Sequence, residues 1–218
     1  MLFHVTTTDP IGDAVDWVRE GGLLAYPTET VWGLGADACS VAAIDRLRGW
    51  KGQRESAPLS ILIADPDTLE PLGFEFNELA RRLAAVFWPG PLTLVMNCRG
   101  VFAPGVPRHD GAVGVRCSSH PISAALARRL TAEGVGPITS TSLNRSGATP
   151  AATIEQVHEV CGTGPESPRL LAVEGAEAGG EGESTVIDTT GPELVVLRWG
   201  VLAKPNLAAV LESLEEDE

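Results

Sequence analysis

Several apolar runs of the sequence are followed by a loop in which short polar side chains stand next to one charged residue. The first of these loops is residues 27–35. There Thr28 and Thr30 flank Glu29, and two glycines follow them. Two hydroxyls beside one carboxylate could bind a polar substrate, and glycines allow a ligand to approach the backbone closely. The same composition is also typical of a structured turn. Both interpretations stay open at this point.

A pair of cations at residues 51–54 could bind phosphate. Lys51 and Arg54 lie beside Gly52 at the predicted end of a helix, in a chain with only 16 lysines and arginines. A flexible lysine and a forked arginine can together neutralise a triphosphate. The alternative is that both are solvated charges that complement the dipole of the helix.

Residues 139–147 form a row of hydroxyls and an amide with one arginine, Arg145. Its short side-chain donors and exposed loop amides suit phosphate oxygens without needing a formal charge. The row is neither a Walker A loop nor a dinucleotide fingerprint, since the spacings GxxxxGK[ST] and GxGxxG are absent. A Ser/Thr-rich capping loop is the alternative.

A single arginine, Arg116, stands at the end of the apolar run 112–116. A guanidinium in that place could hold a carboxylate through two parallel hydrogen bonds, or it could form an ordinary surface ion pair. His120 precedes Pro121 at the predicted start of a helix, which is more typical of a structural histidine than of a catalytic one. The motifs GxSxG and HExxH are absent, so serine-hydrolase and zinc-protease chemistry is not indicated.

The charge balance restricts the possible partners. The 218 residues carry 29 acidic and 16 basic side chains, a net charge of −13, which repels nucleic acid at long range. Tight RNA binding is therefore not expected, and a polyanionic ligand must meet a local basic pocket. Four scattered cysteines without a CxxC pair indicate reduced thiols. No apolar run reaches the length of a membrane span and no basic leader begins the chain, so we expect a soluble, cytoplasmic protein.

Apolar periodicity predicts helices and strands in alternation. Helices are expected after the caps Asp9, Ser40 and Thr153 and over residues 78–87, 122–130 and 206–214. Strands are expected at residues 23–26, 59–64, 92–96, 112–116, 137–141, 170–173, 184–188 and 194–198. Several consecutive strands lack a helical crossover, which favours a mixed sheet.

The predicted fold is therefore a single α/β domain over residues 1–205, with one twisted, open mixed sheet, helices packed on it and a concave groove. Residues 206–218 are expected to form a C-terminal helix and an acidic tail. Ligands of open α/β sheets gather at strand ends. We therefore expect the four polar loops to converge on the groove.

These loops, in this order, resemble the YrdC/TsaC family of threonylcarbamoyl-AMP synthases, from Gly21 to about Gly200. The opening YPTETVWGL is similar to the family's first motif, with Trp32 where tyrosine is usual. Further motifs agree: PGPLT at 89–93, VR at 115–116 with HP at 120–121, TSLN at 141–144 with SG at 146–147, and STVID at 184–188 followed by LRWG at 197–200. Agreement of several separated motifs makes the resemblance specific.

The resemblance implies an enzyme, a nucleotidyltransferase that joins L-threonine, bicarbonate and ATP, with Mg²⁺, into threonylcarbamoyl-AMP and pyrophosphate. In the family this is the first step of a tRNA adenosine modification, so tRNA-modification proteins are the implied partners. Carried over by motif, the threonine site comprises Thr30, Arg116 and Ser184. The implied nucleotide site comprises Lys51, Arg54, Ser140, Ser142, Asn144 and Arg198, with Lys51 and Arg54 as catalytic cations.

The sequence departs from the family pattern beside Lys51. Gln53 stands where the family usually has arginine, Ala57 stands where a lysine is common, and Arg54 comes one residue late. Removing a charge-assisted hydrogen bond to a ligand costs about 1.5–3 kcal/mol. Either Arg54 replaces the missing guanidinium, or the enzyme is slow or altered in substrate.

Two other functions remain as alternatives. A catalytically weakened relative could retain only nucleotide or double-stranded RNA binding. An isolated relative of the carbamoyl-transfer domain of hydrogenase maturation proteins is the second alternative, although the companion segments of those proteins are missing here.

Overall fold

The computed structural model describes residues 8–52, 57–171, 173, 176–180, 182–202, 205 and 207. These residues form five α-helices and nine short strands. The helices are α1 (Pro10–Arg19), α2 (Val41–Lys51), α3 (Glu78–Phe87), α4 (Pro121–Ala132) and α5 (Ile154–Cys161). The strands are β1 (Leu24–Tyr26), β2 (Gly33–Gly35), β3 (Ser60–Ile63), β4 (Leu92–Met96), β5 (Val113–Cys117), β6 (Thr141–Ser142), β7 (Arg169–Leu170), β8 (Thr185–Asp188) and β9 (Val195–Arg198).

The ends of α2 determine where Lys51 lies. The Ser40 side chain accepts a hydrogen bond from the backbone N–H of Ala43 and so begins the helix, as predicted. Gly52 ends it with a left-handed backbone (φ 69°), a conformation that costs glycine little. Lys51 is therefore the last helical residue, and its side chain is buried.

A capping box begins α5, because the Thr153 side chain accepts from the backbone of Gln156 while the Gln156 side chain accepts from the backbone of Thr153. We expect Thr153→Ala to lower the free energy of unfolding by about 1 kcal/mol. Urea unfolding measures this, with Thr163→Ala, an exposed threonine beyond the helix, as the control. Equal loss in both variants would contradict a capping role.

The strands divide between two mixed sheets. The first sheet has the order β6-β2-β1-β7 and the second has the order β3-β5-β4-β8-β9. Each combines parallel and antiparallel pairs: β1 and β7 are parallel whereas β1 and β2 are antiparallel. The predicted mixed α/β domain is confirmed, but its strands form two sheets instead of one.

Strand β2 lies inside the segment that the sequence predicts as a polar loop. Its residues are Gly-Leu-Gly, and glycine carries little signal for a strand. The glycines are used for packing, because a Cβ atom on Gly33 would lie 2.7 Å from the ring of Tyr26. A side chain at position 33 would therefore collide with the Tyr26 ring, so the pairing of β2 with β1 requires glycine there.

Residues 137–142 connect the two sheets. The predicted strand 137–141 is mostly replaced by isolated bridges, from Thr139 to Ile61 of the second sheet and from Ile138 to Asp37. Thr141 and Ser142 then pair with β2 of the first sheet. This connection positions the hydroxyl-rich loop between the sheets.

Two apolar clusters form the core. The larger one joins α2, α3 and the second sheet, and the smaller one packs α1 and α4 against Leu24, Tyr26 and Leu62. All four cysteines are free thiols, as predicted. Among the described residues, none of the helices has the length and apolarity that crossing a bilayer requires. The predicted C-terminal helix and tail lie outside the described residues except for Leu207, which is buried in the larger cluster.

Candidate functional site

A cavity of about 250 Å³ is lined by residues of both sheets. Its walls come from the loop before β2, from strands β3, β4 and β5, from the loop around β6 and from strands β8 and β9. Six of the predicted site residues line it: Thr30, Arg116, Ser140, Ser142, Ser184 and Arg198. The fold thus brings together side chains that are distant in the sequence, while their individual roles stay predictions.

Lys51 and Asn144 stand behind this wall, in contact with Ser142. The Lys51 ammonium donates to the backbone carbonyl of Ser142 (2.6 Å) and to Oδ1 of Asn144 (2.8 Å). The Ser142 hydroxyl donates to the same Asn144 oxygen (2.9 Å). Lys51 is only 2% exposed, so it fixes the hydroxyl-rich loop and adds positive charge immediately behind it. Arg54, its predicted companion, lies outside the described residues.

Burial lowers the pKa of Lys51 to about 8, and the charge of Glu183 opposes this shift only partly. Two of its three N–H groups have fixed acceptors in the described part of the chain, which holds the ammonium in place. Near neutral pH Lys51 is therefore a positive charge held in a low-dielectric environment, where its field is strong.

Arg116 and Glu29 form a buried ion pair at the cavity. Nη2 of Arg116 donates to Oε1 of Glu29 (2.8 Å) and to the hydroxyl of Thr30 (3.1 Å). The other carboxylate oxygen of Glu29 accepts from the Ser118 hydroxyl. Burial by itself would raise the pKa of Glu29, but the charge of Arg116 and the hydrogen bonds from Ser118 and Arg116 outweigh it and hold that pKa below its usual range. Glu29 is thus an anion that orients the guanidinium.

The guanidinium of Arg116 retains capacity for a ligand. Its Nε atom is buried without a hydrogen-bond partner in the described part of the chain. Buried donors are rarely left unpaired in native proteins, and a functional role is one explanation for an unpaired one. Because Arg116 also lines the cavity, an anion with planar oxygens is the ligand that suits it best.

The hydroxyls of Thr28 and Thr30 are oriented by their own hydrogen bonds. Thr28 donates to the carbonyl of Val31 (2.7 Å), so the hydrogen bond between the two hydroxyls (2.9 Å) must use the proton of Thr30. The oxygen of Thr30 in turn accepts from Arg116. The substrate loop, by which we mean residues 27–30, is therefore a fixed polar surface.

The cavity lining contains a second arginine, Arg198. Nη2 of Arg198 donates to the carbonyl (3.0 Å) and the hydroxyl (3.2 Å) of Ser184, while Nη1 pairs with Glu183 (2.9 Å). The Ser184 hydroxyl also contacts that of Thr93 (2.9 Å). Strands β8 and β9 thus bring a half-exposed cation to the cavity beside a buried pair of hydroxyls.

The sequence reasoning missed Arg108, which also lines the cavity. Its guanidinium pairs with Asp188 (2.6 Å) and with Asp110 (2.6 Å), and the hydrogen bond from Arg108 lowers the pKa of Asp110 to about 2. Arg108 precedes the turn at Asp110, outside every motif. Only its rarity as a basic residue in an acidic chain could have indicated it. Ser118 was missed because its partner Glu29 lies 89 residues away.

Comparison with known proteins identifies relatives of this chain. Residues 16–200 match the family model of the Sua5/YciO/YrdC domain, whose description reads "Telomere recombination". A threonylcarbamoyl-AMP synthase of Chromohalobacter salexigens is 42% identical over 188 residues, which cover 86% of this chain and 96% of the relative. A threonylcarbamoyl-AMP synthase of Bacillus subtilis is 35% identical over 99% of this chain, and the match covers 60% of the relative.

The fold agrees with a solved structure as well. The crystal structure of Pyrococcus abyssi Sua5 with L-threonine superposes with a TM-score of 0.82 at 36% identity. The superposition covers 92% of this chain and 57% of Sua5, so this chain spans less than two thirds of Sua5 and of the B. subtilis relative. The matched region nevertheless contains every strand and helix that surrounds the cavity, and the chain belongs to the Sua5/YciO/YrdC family.

Proposed function

We propose that this chain is a threonylcarbamoyl-AMP synthase, an enzyme that joins L-threonine, bicarbonate and ATP and releases pyrophosphate. The proposal rests above all on one observation: a buried arginine, Arg116, with an unused donor stands in the same cavity as the hydroxyl-rich wall that Lys51 supports. The first feature suits a carboxylate and the second suits phosphate. The name of the C. salexigens relative and the L-threonine complex of Sua5 support the same activity.

The reaction requires the protein to position its substrates more than to form covalent bonds with them. The amine of threonine captures bicarbonate, with loss of water, to form a carbamate. A carbamate oxygen then attacks the α-phosphorus of ATP, and the bond from that phosphorus to the bridging oxygen breaks as pyrophosphate leaves. The protein must hold two anions together, exclude water from a labile product and offset the charge on the leaving group.

The residues of the cavity divide these tasks. Arg116 would hold the carboxylate of threonine, and Thr30, whose oxygen accepts from the same guanidinium, would lie against the substrate. The nucleotide would meet the wall formed by Ser140, Ser142 and the ammonium behind them, with Asn144 fixing that wall. Ser184 would add a hydroxyl to the threonine site, and Arg198 would add a cation to the nucleotide site. Two anions would thus be held within one cavity.

Mg²⁺ would enter as part of the ATP complex. The described residues contain no cluster of three or more His, Cys, Asp or Glu side chains, and the carboxylates of Glu29 and Glu183 beside the cavity already pair with arginines. Phosphate oxygens and water are therefore the expected ligands, as is common for Mg²⁺. The ion would add positive charge at the triphosphate.

The product would pass to tRNA-modification proteins, and the proposed location is the cytoplasm, where tRNA is modified. Direct RNA binding forms no part of the proposal, because a net charge of −13 opposes it.

The proposed function is tested by incubating the full chain with ATP, L-threonine and bicarbonate and quantifying pyrophosphate and the adenylate product. We expect equimolar pyrophosphate and threonylcarbamoyl-AMP, and neither product when L-threonine is omitted. Pyrophosphate release that does not depend on L-threonine would contradict the proposal.

Arg54 provides a test of the departure from the family pattern. If Arg54 replaces the cation missing at Gln53, Arg54→Ala lowers kcat/KM for ATP by about 10-fold to 100-fold, the equivalent of one charge-assisted hydrogen bond. Arg46→Ala is the matched control, because Arg46 contacts Gly21 and Glu166 away from the cavity. Unchanged kinetics in Arg54→Ala would show that no replacement takes place.

A further inference from the structure

His120 uses both of its ring nitrogens, and it is only 8% exposed. As the N-cap of α4, it accepts a hydrogen bond at Nδ1 from the backbone N–H of Ile122 (3.3 Å). Its Nε2 lies 3.0 Å from the carbonyl of Glu177. Since Nδ1 accepts and a carbonyl cannot donate, the proton of the neutral ring must lie on Nε2. His120 therefore links the start of α4 to a distant segment.

That segment, residues 176–180, lies directly on the substrate loop, and we call it the strap. The backbone N–H of Gly179 donates to the carbonyl of Thr28 (2.9 Å), and that of Gly180 donates to the carbonyl of Thr30 (3.1 Å). A Cβ atom on Gly179 would lie 3.1 Å from the Cα of Glu29. Two glycines thus allow the strap to approach the loop as closely as these hydrogen bonds require.

The turn that contains His120 and the first turn of α4 also hold the substrate loop. Ser118 donates to the carboxylate of Glu29, and the buried Ser123 donates to the carbonyl of Pro27. The loop is therefore held by these two turns and by the strap, and His120 is the side chain that joins the turns to the strap.

We propose that His120 is a positioning residue that, through the strap, fixes Thr30 and Glu29 and thereby Arg116 in the geometry that binds L-threonine. The inference rests on the proposed function for the identity of the substrate. His120 is absent from the cavity lining, so it acts through the strap and not by contact with substrate.

Two substitutions separate the two roles of the ring. In His120→Asn the amide oxygen replaces Nδ1 as the helix cap, a role for which asparagine is well suited, but the side chain is too short to reach the strap. In His120→Gln the amide nitrogen can replace Nε2 as the donor to Glu177, while the cap is lost. If His120 acted only as the helix cap, His120→Gln would be more harmful than His120→Asn for both stability and L-threonine binding.

The experiment measures L-threonine affinity by calorimetry and backbone amide exchange of the strap by mass spectrometry, on the full chain. We expect His120→Asn to weaken L-threonine binding about tenfold and to accelerate exchange at Gly179 and Gly180, with an unchanged melting temperature and unchanged ATP affinity. We expect His120→Gln to lower the melting temperature and to keep the L-threonine affinity within about twofold of wild type.

The outcomes separate the inference from the proposed function. A wild-type chain that binds no L-threonine would contradict the proposed function and with it the substrate assigned to the strap. A wild-type chain that binds L-threonine while His120→Asn shows wild-type affinity and wild-type exchange would overturn the positioning role. Faster amide exchange of the strap in His120→Asn with unchanged L-threonine affinity would also overturn the positioning role. The strap would then be loosened without any effect on substrate binding.

Discussion

Arg116→Ala is expected to abolish L-threonine binding and to lower kcat/KM by at least about 100-fold. The substitution removes the guanidinium that contacts Thr30 and lines the cavity, together with its buried Nε donor, which has no partner among the described residues. Two charge-assisted hydrogen bonds to a carboxylate are worth about 3–6 kcal/mol together, which is ample for this loss. Steady-state kinetics of pyrophosphate release, with L-threonine varied, measure the effect.

The same substitution is expected to destabilise the fold. Glu29 would remain buried without its cation, and breaking a buried ion pair on one side costs about 3–5 kcal/mol. Because Arg116 helps hold the pKa of Glu29 below its usual range, the pair adds stability above the pKa of the unfolded carboxyl. That contribution is lost as the pH falls through the folded pKa, and Arg116→Ala should lose it at neutral pH already.

A double variant separates binding from stability. Glu29→Gln combined with Arg116→Met removes both charges, so no uncompensated anion remains, and most of the stability should return. L-threonine binding should stay absent, since no guanidinium is left. Recovery of turnover in the double variant would contradict the role assigned to Arg116.

The local elements of this fold could be predicted because each has a local cause. Helix α3 and strand β4 begin and end at the residues that periodicity predicts. The split into two sheets could not be predicted, because it depends on which strands pair in the folded chain, and periodicity does not encode strand partners. Strand β2 could not be predicted either. A three-residue strand that contains two glycines has almost no pattern to detect.

The candidate site shows the same division. Motifs indicated six residues of the cavity lining and the two residues that support Ser142, Lys51 and Asn144, whereas Arg108 in the lining and Ser118, the partner of Glu29, were missed. Ser118 with Glu29 and His120 with Glu177 are partners distant in the sequence, and each pair forms only after the strands have assembled. Taken singly, a serine in a loop or a histidine before a proline is common in sequences, so neither indicates a functional role. Their function follows from tertiary contacts.

Lys51→Ala is expected to abolish turnover and leave the fold intact. The ammonium holds the carbonyl of Ser142 and the amide oxygen of Asn144. It supplies positive charge behind the wall formed by Ser140 and Ser142, which is the proposed phosphate wall. Removing one such preorganised donor from an active site typically costs about 100-fold to 1,000-fold in kcat. The fold should tolerate the change, because a buried ammonium carries a desolvation cost that alanine does not. Circular dichroism tests whether the fold stays intact, and pyrophosphate release tests whether turnover is lost.

The pH dependence of stability and of ATP affinity provides a separate test of Lys51. Because burial lowers the pKa of Lys51 to about 8, the folded protein loses this proton at lower pH than the unfolded chain does. From about pH 8 up to the ordinary lysine pKa the unfolded chain binds more protons, so this residue makes stability rise with pH. ATP affinity should fall over the same interval, because the phosphate wall loses its charge. Lys51→Met should remove both trends, and an ATP affinity that declines equally in wild type and Lys51→Met would show that another group is responsible.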